Sequence, residues 1–416
     1  MPSNHDHLAN AAFPENLSID GLVPGGIIEP GSAQEIAEAL AQAATSRAAV
    51  APVGGRTALA LGNIPQRVDL AISTRKMRRI LEYTPTDLVV SVEAGATLGE
   101  LNAVLAAKGQ MLPIDPPDGD QATIGGLVAT AITGPKRLGY GSLRDLLIGI
   151  SAAHPSGTVT KAGGMVVKNV TGFDLSRVYH GALGTLGIIT SANFRVLPLP
   201  RHRLTVVGSF ASMHEAIAAA RRVRESRVMP IALECIQRSD GWETATLLEG
   251  QERILRTLDA EIRGVYGADT VVHDGDASDG WWNGFREHRR LIISGQEAVL
   301  RAASRPGASA DLAASVAGAL ANVPLKVTGF SISPGLGTVT VRVHSEGEDA
   351  AAHVLVLMAV IGAAADNVTL MAAPPSWKRG VDVWGVVPET LDVMESLKEQ
   401  FDPLRVLNPG RFAGSI

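Results

Sequence analysis

Two short glycine turns hold the residues whose types and spacing could do chemistry. Pro52-Val53-Gly54-Gly55-Arg56-Thr57 closes one apolar run, and Ala122-Thr123-Ile124-Gly125-Gly126 opens another. Backbone N–H groups in such turns suit a diphosphate, whose two negative charges need donors at close range. A β-carbon at the points of approach would block the phosphate oxygens, so glycine is required there. Neither turn matches the commoner nucleotide fingerprints. No Gly-x-Gly-x-x-Gly follows a strand and no Gly-Lys dipeptide occurs in the chain, which disfavours a Rossmann dinucleotide site and a P-loop. The second turn sits in residues 115–149, which also carry Pro116-Pro117, Gly134-Pro135, Tyr140-Gly141 and Arg144-Asp145. No plain helix or strand needs that combination.

The elements that position these turns are legible in outline. Ser32 and Glu35 have capping-box spacing, and Ile36, Leu40 and Ala43 share a face of the helix that follows. Strands are expected over 48–53 and 68–72, a small β-α-β unit with the first glycine turn at a strand end. Further strands are expected over 87–93 and 186–197, with a hairpin over 146–161 around Pro155-Ser156-Gly157. Thr97 and Glu100 repeat the capping box, and residues 173–179 have a short helical pattern. From about 203 to 373 strands alternate with helices, as in one sheet covered by helices. A last helix over 388–401 presents Leu391, Met394, Leu397 and Phe401 on one face.

The bulk numbers bound the partners. A chain of 416 residues exceeds what one core usually serves, so two domains are expected. A net charge of -5 without a basic stripe argues against nucleic acid. The single cysteine, Cys235, excludes an intrachain disulfide and a cysteine-ligated iron–sulfur site. The longest apolar run, 354–365, falls short of the roughly 18 residues needed for a transmembrane segment. A cytoplasmic protein is expected, with a polar, mobile leader over 1–22 in which His5 and His7 form no metal site.

Taken together, several motifs resemble the FAD-binding domain of the vanillyl-alcohol oxidase/p-cresol methylhydroxylase (PCMH-type) flavoproteins. They are residues 52–57, the 115–126 run, Thr133-Gly134-Pro135, Tyr140-Gly141-x-x-Arg144-Asp145, Lys168-Asn169-x-x-Gly172-Phe173-Asp174-Leu175 and Gly184-Thr185-Leu186-Gly187-Ile188. Within that family the likeness runs to the FAD-binding subunits of bacterial glycolate oxidase (glycolate dehydrogenase). It covers residues 25–200 and returns at Phe401-Asp402-Pro403 and Asn408-Pro409-Gly410-Arg411.

The resemblance implies an α+β fold: a PCMH-type FAD-binding domain of two α+β subdomains over 23–200, an α+β cap domain over 201–387, and a tail over 388–416 that returns to the first domain. It implies that Pro52, Val53, Gly54, Gly55, Arg56 and Thr57 meet the pyrophosphate. Pro116, Thr123, Ile124, Gly125, Gly126, Ala129 and Gly134 are expected to line flavin and diphosphate, Gly187 and Ile188 the adenosine, and Asn408 the flavin. Arg144 and Asp145 brace the subdomain. Arg56 stands where the family often has a third glycine, so its side chain must leave the phosphate loop or add a positive charge to it. With no His or Cys at the family's attachment position, the FAD is expected to be non-covalent.

Oxidising a 2-hydroxy acid requires a cation for the carboxylate and a base for the hydroxyl proton. The His-x-Gly-Asp-Gly-Asn-x-His element that related dehydrogenases use for this is missing. Trp281-Trp282-Asn283-Gly284-Phe285-Arg286-Glu287-His288 resembles their Trp-x-x-Arg-Glu region, which nominates Arg286 as the catalytic anion clamp and His288 as a distant second candidate, for base. A rich cofactor site beside a depleted substrate site implies a subunit of a glycolate-oxidising complex. Its partners are a paralogous catalytic flavosubunit, where the main substrate chemistry occurs, and an iron–sulfur subunit. The alternatives are a self-sufficient FAD-dependent oxidase of another alcohol or hydroxy acid, and a scaffold that has lost its flavin.

Overall fold

The computed structural model describes residues 17–165 and 175–416. His5, His7 and the Lys168-Asn169 and Gly172-Phe173-Asp174 parts of the motif lie outside them.

Strands β1 (Gly26–Ile28), β2 (Val50–Val53) and β3 (Leu70–Ser73) form a parallel sheet in the order β1-β3-β2. The helix Ala33–Ser46 begins where Ser32 accepts the Glu35 N–H, and it buries Ile36, Leu40 and Ala43 as the sequence spacing requires. Next come β4 (Ile80–Thr84), β5 (Val89–Glu93), β6 (Gln110–Met111), β7 (Leu147–Ala153), β8 (Val159–Gly163), β9 (Ile188–Arg195) and β10 (Leu197–Pro198). Five of them make an antiparallel sheet in the order β4-β5-β9-β7-β8, while β6 and β10 pair separately. The Ala33–Ser46 helix packs Ile36 and Leu40 with Val50 and Ile72 of the first sheet and Ala153 and Ile188 of the second. It thereby joins the two α+β units.

Eight further strands build one antiparallel sheet: β11 (His202–Phe210), β12 (Ala232–Arg238), β13 (Gly241–Gly250), β14 (Thr270–Asp274), β15 (Glu297–Ala303), β16 (Lys326–Ser333), β17 (Thr338–His344) and β18 (Asn367–Ala372). Their order is β14-β11-β13-β12-β16-β17-β15-β18. Strand alternation sends Leu233, Cys235, Leu300, Ile332 and Val341 to one face, where the helices Met213–Glu225, Ser309–Ala321 and Ala350–Gly362 cover them. The same alternation sends Glu234, Ser331, Ser333, Thr340, Arg301 and Thr369 to the other. Val299 and Met371 on that second face pack with Leu61, Leu183 and Leu291, so it looks onto the first half of the chain.

The last helix, Leu391–Phe401, departs from its sequence pattern. Its deeply buried residue is Lys398, while Leu391, Met394, Leu397 and Phe401 are half-buried. Lys398 Nζ donates to Asp402 Oδ2 at 2.7 Å and to the carbonyls of Thr185 and Leu407 at 2.8 Å each. Asp402 Oδ2 also accepts the Leu407 N–H at 2.8 Å, and its Oδ1 accepts the Val406 N–H at 3.1 Å. The segment so fixed runs beside β2, with Val50 N–H on Val406 O at 2.7 Å and Asn408 N–H on Val50 O at 2.8 Å.

Residues 17–22 correct the expectation of a mobile leader reaching residue 22. Leu17 and Ile19 are core residues, and Asp20 accepts from Lys378 Nζ and Arg411 Nη1, both at 2.6 Å. Burial pulls Lys378 down to about 8 against the pull of Asp20 in the opposite direction.

Removing one partner of a buried pair leaves the other charged without compensation, at a cost of about 3–5 kcal/mol. Lys398→Met is therefore expected to lower stability by that amount in urea unfolding and to lower flavin retention with it. A Lys398→Met chain as stable as wild type contradicts the anchoring role.

Candidate functional site

A cleft lies where the first glycine turn, the helix Ile124–Thr130, the 183–189 segment and the returning tail meet. Thr123 Oγ1 accepts N–H groups from Gly55 and Gly126, both at 3.3 Å, which ties the two glycine turns together. Asn408 Nδ2 donates to Leu183 O at 2.6 Å, which sets the tail against the opposite wall.

Among the expected residues, Pro52, Val53, Gly54, Gly55, Arg56, Thr57, Thr123, Gly125, Gly126, Ala129, Gly187, Ile188 and Asn408 line this cleft. Pro116, Ile124 and Gly134 stand behind that lining. Ile124 belongs to the core under the five-stranded sheet, Pro116 is buried next to the lining residue Pro117, and Gly134 backs onto Asp115.

The glycines are needed for a reason other than the one the sequence suggests. A β-carbon on Gly54 would sit 2.1 Å from Thr123 Oγ1, and one on Gly55 would sit 2.2 Å from the Gln121 carbonyl oxygen. On Gly184 it would come within 2.9 Å of Pro52 Cγ. The space is taken by the protein itself, so the glycines allow the walls to close on one another. Arg56 has φ 62°, a left-handed backbone that glycine would adopt at lower cost. Leu183 at φ 50° and Asn408 at φ 43°, also in the lining, are left-handed too.

The charges of the cleft suit a dianion. Arg56 and Arg411 line it, the guanidinium of Arg411 being held by Asp20 and the Leu59 and Leu61 carbonyls, and among the described residues no carboxylate lines it. Apolar side chains such as Leu59, Ile132 and Leu291 complete the walls and suit planar ring systems. The residues present therefore fit a flavin dinucleotide.

A second group of charges, which sequence reasoning missed, lies between Asp115 and the inner face of the eight-stranded sheet. Asp115 is buried two residues from Pro117 of the cleft and accepts the Lys136 N–H at 3.0 Å. Burial pushes its carboxyl up to about 6, against the opposing fields of Lys136, Arg286 and Arg289. Glu234 on β12 is pushed up to about 7 by burial, opposed by Arg289 and by the Ser333 hydroxyl, which donates to its Oε2 at 2.6 Å. Arg301 on β15 is lowered to about 10, by burial first and then by Arg289 and Arg137. Arg286, the expected clamp, is half-buried at the end of the helix Gly275–Glu287, where it donates to Asn283. It stands outside the cleft lining, and its field reaches Asp115. His288 lies by Gly329 of β16, and burial with Arg238 and Arg342 nearby holds its pKa low. No sequence motif groups Asp115, Glu234, Arg289 and Arg301. The signal available was the polar residue at an inward position of each of two apolar strands.

Lys136 Nζ meets Glu249 Oε1 of β13 at 2.7 Å, and the Tyr140 hydroxyl donates to the same carboxylate. These bonds, with Gly139 N–H on Ile231 O at 3.0 Å, fasten the sheet to residues 134–141.

Two outcomes follow. Gly55→Ala drives a β-carbon into backbone, so flavin affinity is expected to fall about tenfold or more, or ~1.4 kcal/mol, measured by visible flavin absorbance after gel filtration. Asp115 and Glu234 are raised in the folded state, so folding holds protons that unfolding releases. Stability is therefore expected to decline as pH rises from the ordinary carboxylate range towards about 7. Glu234→Gln should flatten part of that slope in thermal melts, and an unchanged slope contradicts the assignment.

Comparison with known proteins agrees with this geometry. Residues 24–163 match a family described as FAD binding domain, and residues 385–412 one described as FAD linked oxidases, C-terminal domain. The chain is 38% identical to glycolate oxidase subunit GlcE of Escherichia coli (strain K12) over 39% of its own length and 45% of the relative's. It is 29% identical to glycolate oxidase subunit GlcD of Bacillus subtilis (strain 168) over 51% and 45%. It is 30% identical to a D-lactate dehydrogenase of Anaerostipes hadrus over 58% and 51%. The chain thus spans about half the length of the curated relatives it matches. Among solved structures it is similar in fold to an alkyldihydroxyacetonephosphate synthase, with TM-score 0.67 and 18% identity over 92% of this chain and 75% of that one. No helix among the described residues is long and apolar enough to cross a membrane, and no cluster of three or more His, Cys, Asp or Glu residues among them could hold a metal. The FAD-binding domain match in the first half, the FAD-linked oxidase C-terminal match on the tail and the α+β fold of the PCMH type around both agree on one cofactor, FAD.

Proposed function

We propose that this chain is the FAD-binding subunit of a multi-subunit complex that oxidises glycolate or another small 2-hydroxy acid. It works beside a paralogous flavosubunit and an iron–sulfur subunit. The observation that carries the reading is a glycine-walled cleft with Arg56 in its lining and no carboxylate among the described lining residues, in a chain similar to subunits of glycolate oxidase. Cys235 supports the division of labour. It is the single cysteine, it is buried in the sheet core, and burial pushes its thiol up to about 12, so an iron–sulfur step belongs to another chain.

FAD, when bound, supplies a two-electron acceptor for the hydrogen on the carbinol carbon. The chain's own residues do the rest. The Gly54-Gly55 turn and Thr123 hold the diphosphate wall in shape, Arg56 offsets its charge, and Asn408 fixes the tail that closes the cleft. Arg286 belongs, with Arg289, to the positive field near Asp115 that would draw an anionic substrate to the inner sheet face. One observation favours a second reading, a self-sufficient oxidase or dehydrogenase of a hydroxy acid or other alcohol: the buried charges on the inner sheet face, Glu234, Arg289 and Arg301, stand outside the cleft lining.

The complex itself provides the test. Assembled with Gly55→Ala in this chain, it is expected to keep its subunits and lose most of its glycolate-dependent dye reduction, to below about a tenth of wild type. Full activity from that flavin-depleted assembly removes this chain from the electron path.

A further inference from the structure

The inner face of the eight-stranded sheet holds a buried donor and a buried acceptor that do not satisfy each other. Arg289 Nη1 and Glu234 Oε1 are both shielded from solvent, and neither has a hydrogen-bond partner among the described residues. Arg289 is 9% exposed and Glu234 is 1% exposed. Arg289 makes no ion pair among the described residues, while its neighbour Arg290 takes Asp118 at 2.6 Å. A folded chain leaves such groups unmatched at a cost, because a buried charge or polar atom without a partner loses its hydration and gains nothing. The pair is also well placed. Arg289 precedes the cleft residue Leu291 by two positions, and Glu234 lies on the sheet face that packs Val299 and Met371 against the cleft rim. Ser333 occupies Oε2 of Glu234 and so leaves Oε1 as the free acceptor.

A ligand that satisfies both must present an anionic acceptor and a hydroxyl donor a short distance apart. We propose that Arg289 and Glu234 form a binding site in this chain for a small 2-hydroxy carboxylate, with Arg289 pairing with the carboxylate and Glu234 Oε1 accepting the hydroxyl proton. The inference rests on the reading of the chain as an FAD-dependent oxidoreductase, and it moves substrate chemistry onto this subunit. The balance is simple. The C–H bond gives its hydrogen and both electrons to the bound flavin, the O–H bond gives its proton to the Glu234 carboxylate, and the hydroxy acid leaves as the 2-oxo acid. Glu234 thereby takes the part that histidines take in the resembling dehydrogenases. The charged groups that bear on its proton are Arg289, after the helix Gly275–Glu287, and Asp115, in the loop before the helix Ile124–Thr130; Ser333 of β16 hydrogen-bonds it.

The probe is 2-hydroxyisobutyrate, which keeps the carboxylate and hydroxyl but has no hydrogen on the carbinol carbon. Its binding to the FAD-loaded protein is read from the visible flavin spectrum, and anaerobic flavin reduction by glycolate and D-lactate is read separately. Arg289→Met is expected to weaken the probe about tenfold or more, and Arg289→Lys by less. Glu234→Gln is expected to leave probe affinity within about threefold while slowing flavin reduction about a hundredfold or more, the usual worth of a general base. It should also abolish the rise of the wild-type reduction rate through pH about 7. If wild type binds the probe and is reduced, yet Arg289→Met and Glu234→Gln, both folded and flavin-loaded, change neither readout, the site is wrong and the oxidoreductase reading survives. If the probe binds through Arg289 but no hydroxy acid reduces the flavin, the site stands and the reading of the reaction fails. A flavin-loaded wild type that neither binds the probe nor is reduced overturns both.

Discussion

Carboxylates removed from water decide how this chain is closed. Asp402 and Asp20 are both buried, and each is neutralised by a cation from a distant or returning segment: Lys398 for the first, Lys378 and Arg411 for the second. An unpaired charge in that position would be far costlier than the entropy of ordering a loop, so the tail has little freedom to be elsewhere. Arg411 also donates to the Leu59 carbonyl at 2.6 Å, which ties the same tail to the segment after the first glycine turn. The cofactor cleft is therefore bounded by a lattice of buried charge, and its glycine loops need only fill in the wall.

That arrangement separates two electrostatic environments. Among the described residues, the cleft lining carries arginines and backbone dipoles without acids, which suits a diphosphate. Across Asp115 lies a mixed cluster in which buried carboxylates and guanidiniums perturb one another without pairing. Strand alternation is the device that makes the second environment. One residue out of register on β12 would send Glu234 among Leu300, Ile332 and Val341 of the helix-covered core and put the Cys235 sulfur on the inner face. The sheet is held in place by Lys136, Tyr140 and Gly139, so the two environments meet at a fixed seam.

Much of the first environment is legible in the sequence because its signals are local. Ser32, Thr97 and Thr123 announce helix starts within four residues, and each accepts the N–H that its spacing implies. Gly54 and Gly55 mark the loop correctly, although the reason they are glycines depends on Thr123 and Gln121, which no local pattern could name. The short strands β1 and β4 escape a sequence reading because their residues are half-buried or exposed, without the buried run that marks β2, β3 and β5. Lys398 escapes because a helix face is judged by its apolar members, and here a cation with three oxygen acceptors is the deepest residue. Glu234, Arg289 and Arg301 come from separate elements, and only the sheet topology makes them neighbours.

The bond between Arg411 and Leu59 spans 352 positions of chain. Residues 17–198 can form their sheets early during synthesis, yet the wall that Asn408 and Arg411 provide does not exist until nearly the whole described chain has emerged. A nascent chain paused in the eight-stranded sheet would hold two apolar units around a cleft open to solvent, at the stage when exposed surface invites aggregation. Cofactor capture is thereby coupled to docking of the 408–411 segment, and flavin acts late, as the ligand that selects chains whose wall has closed from those whose wall has not.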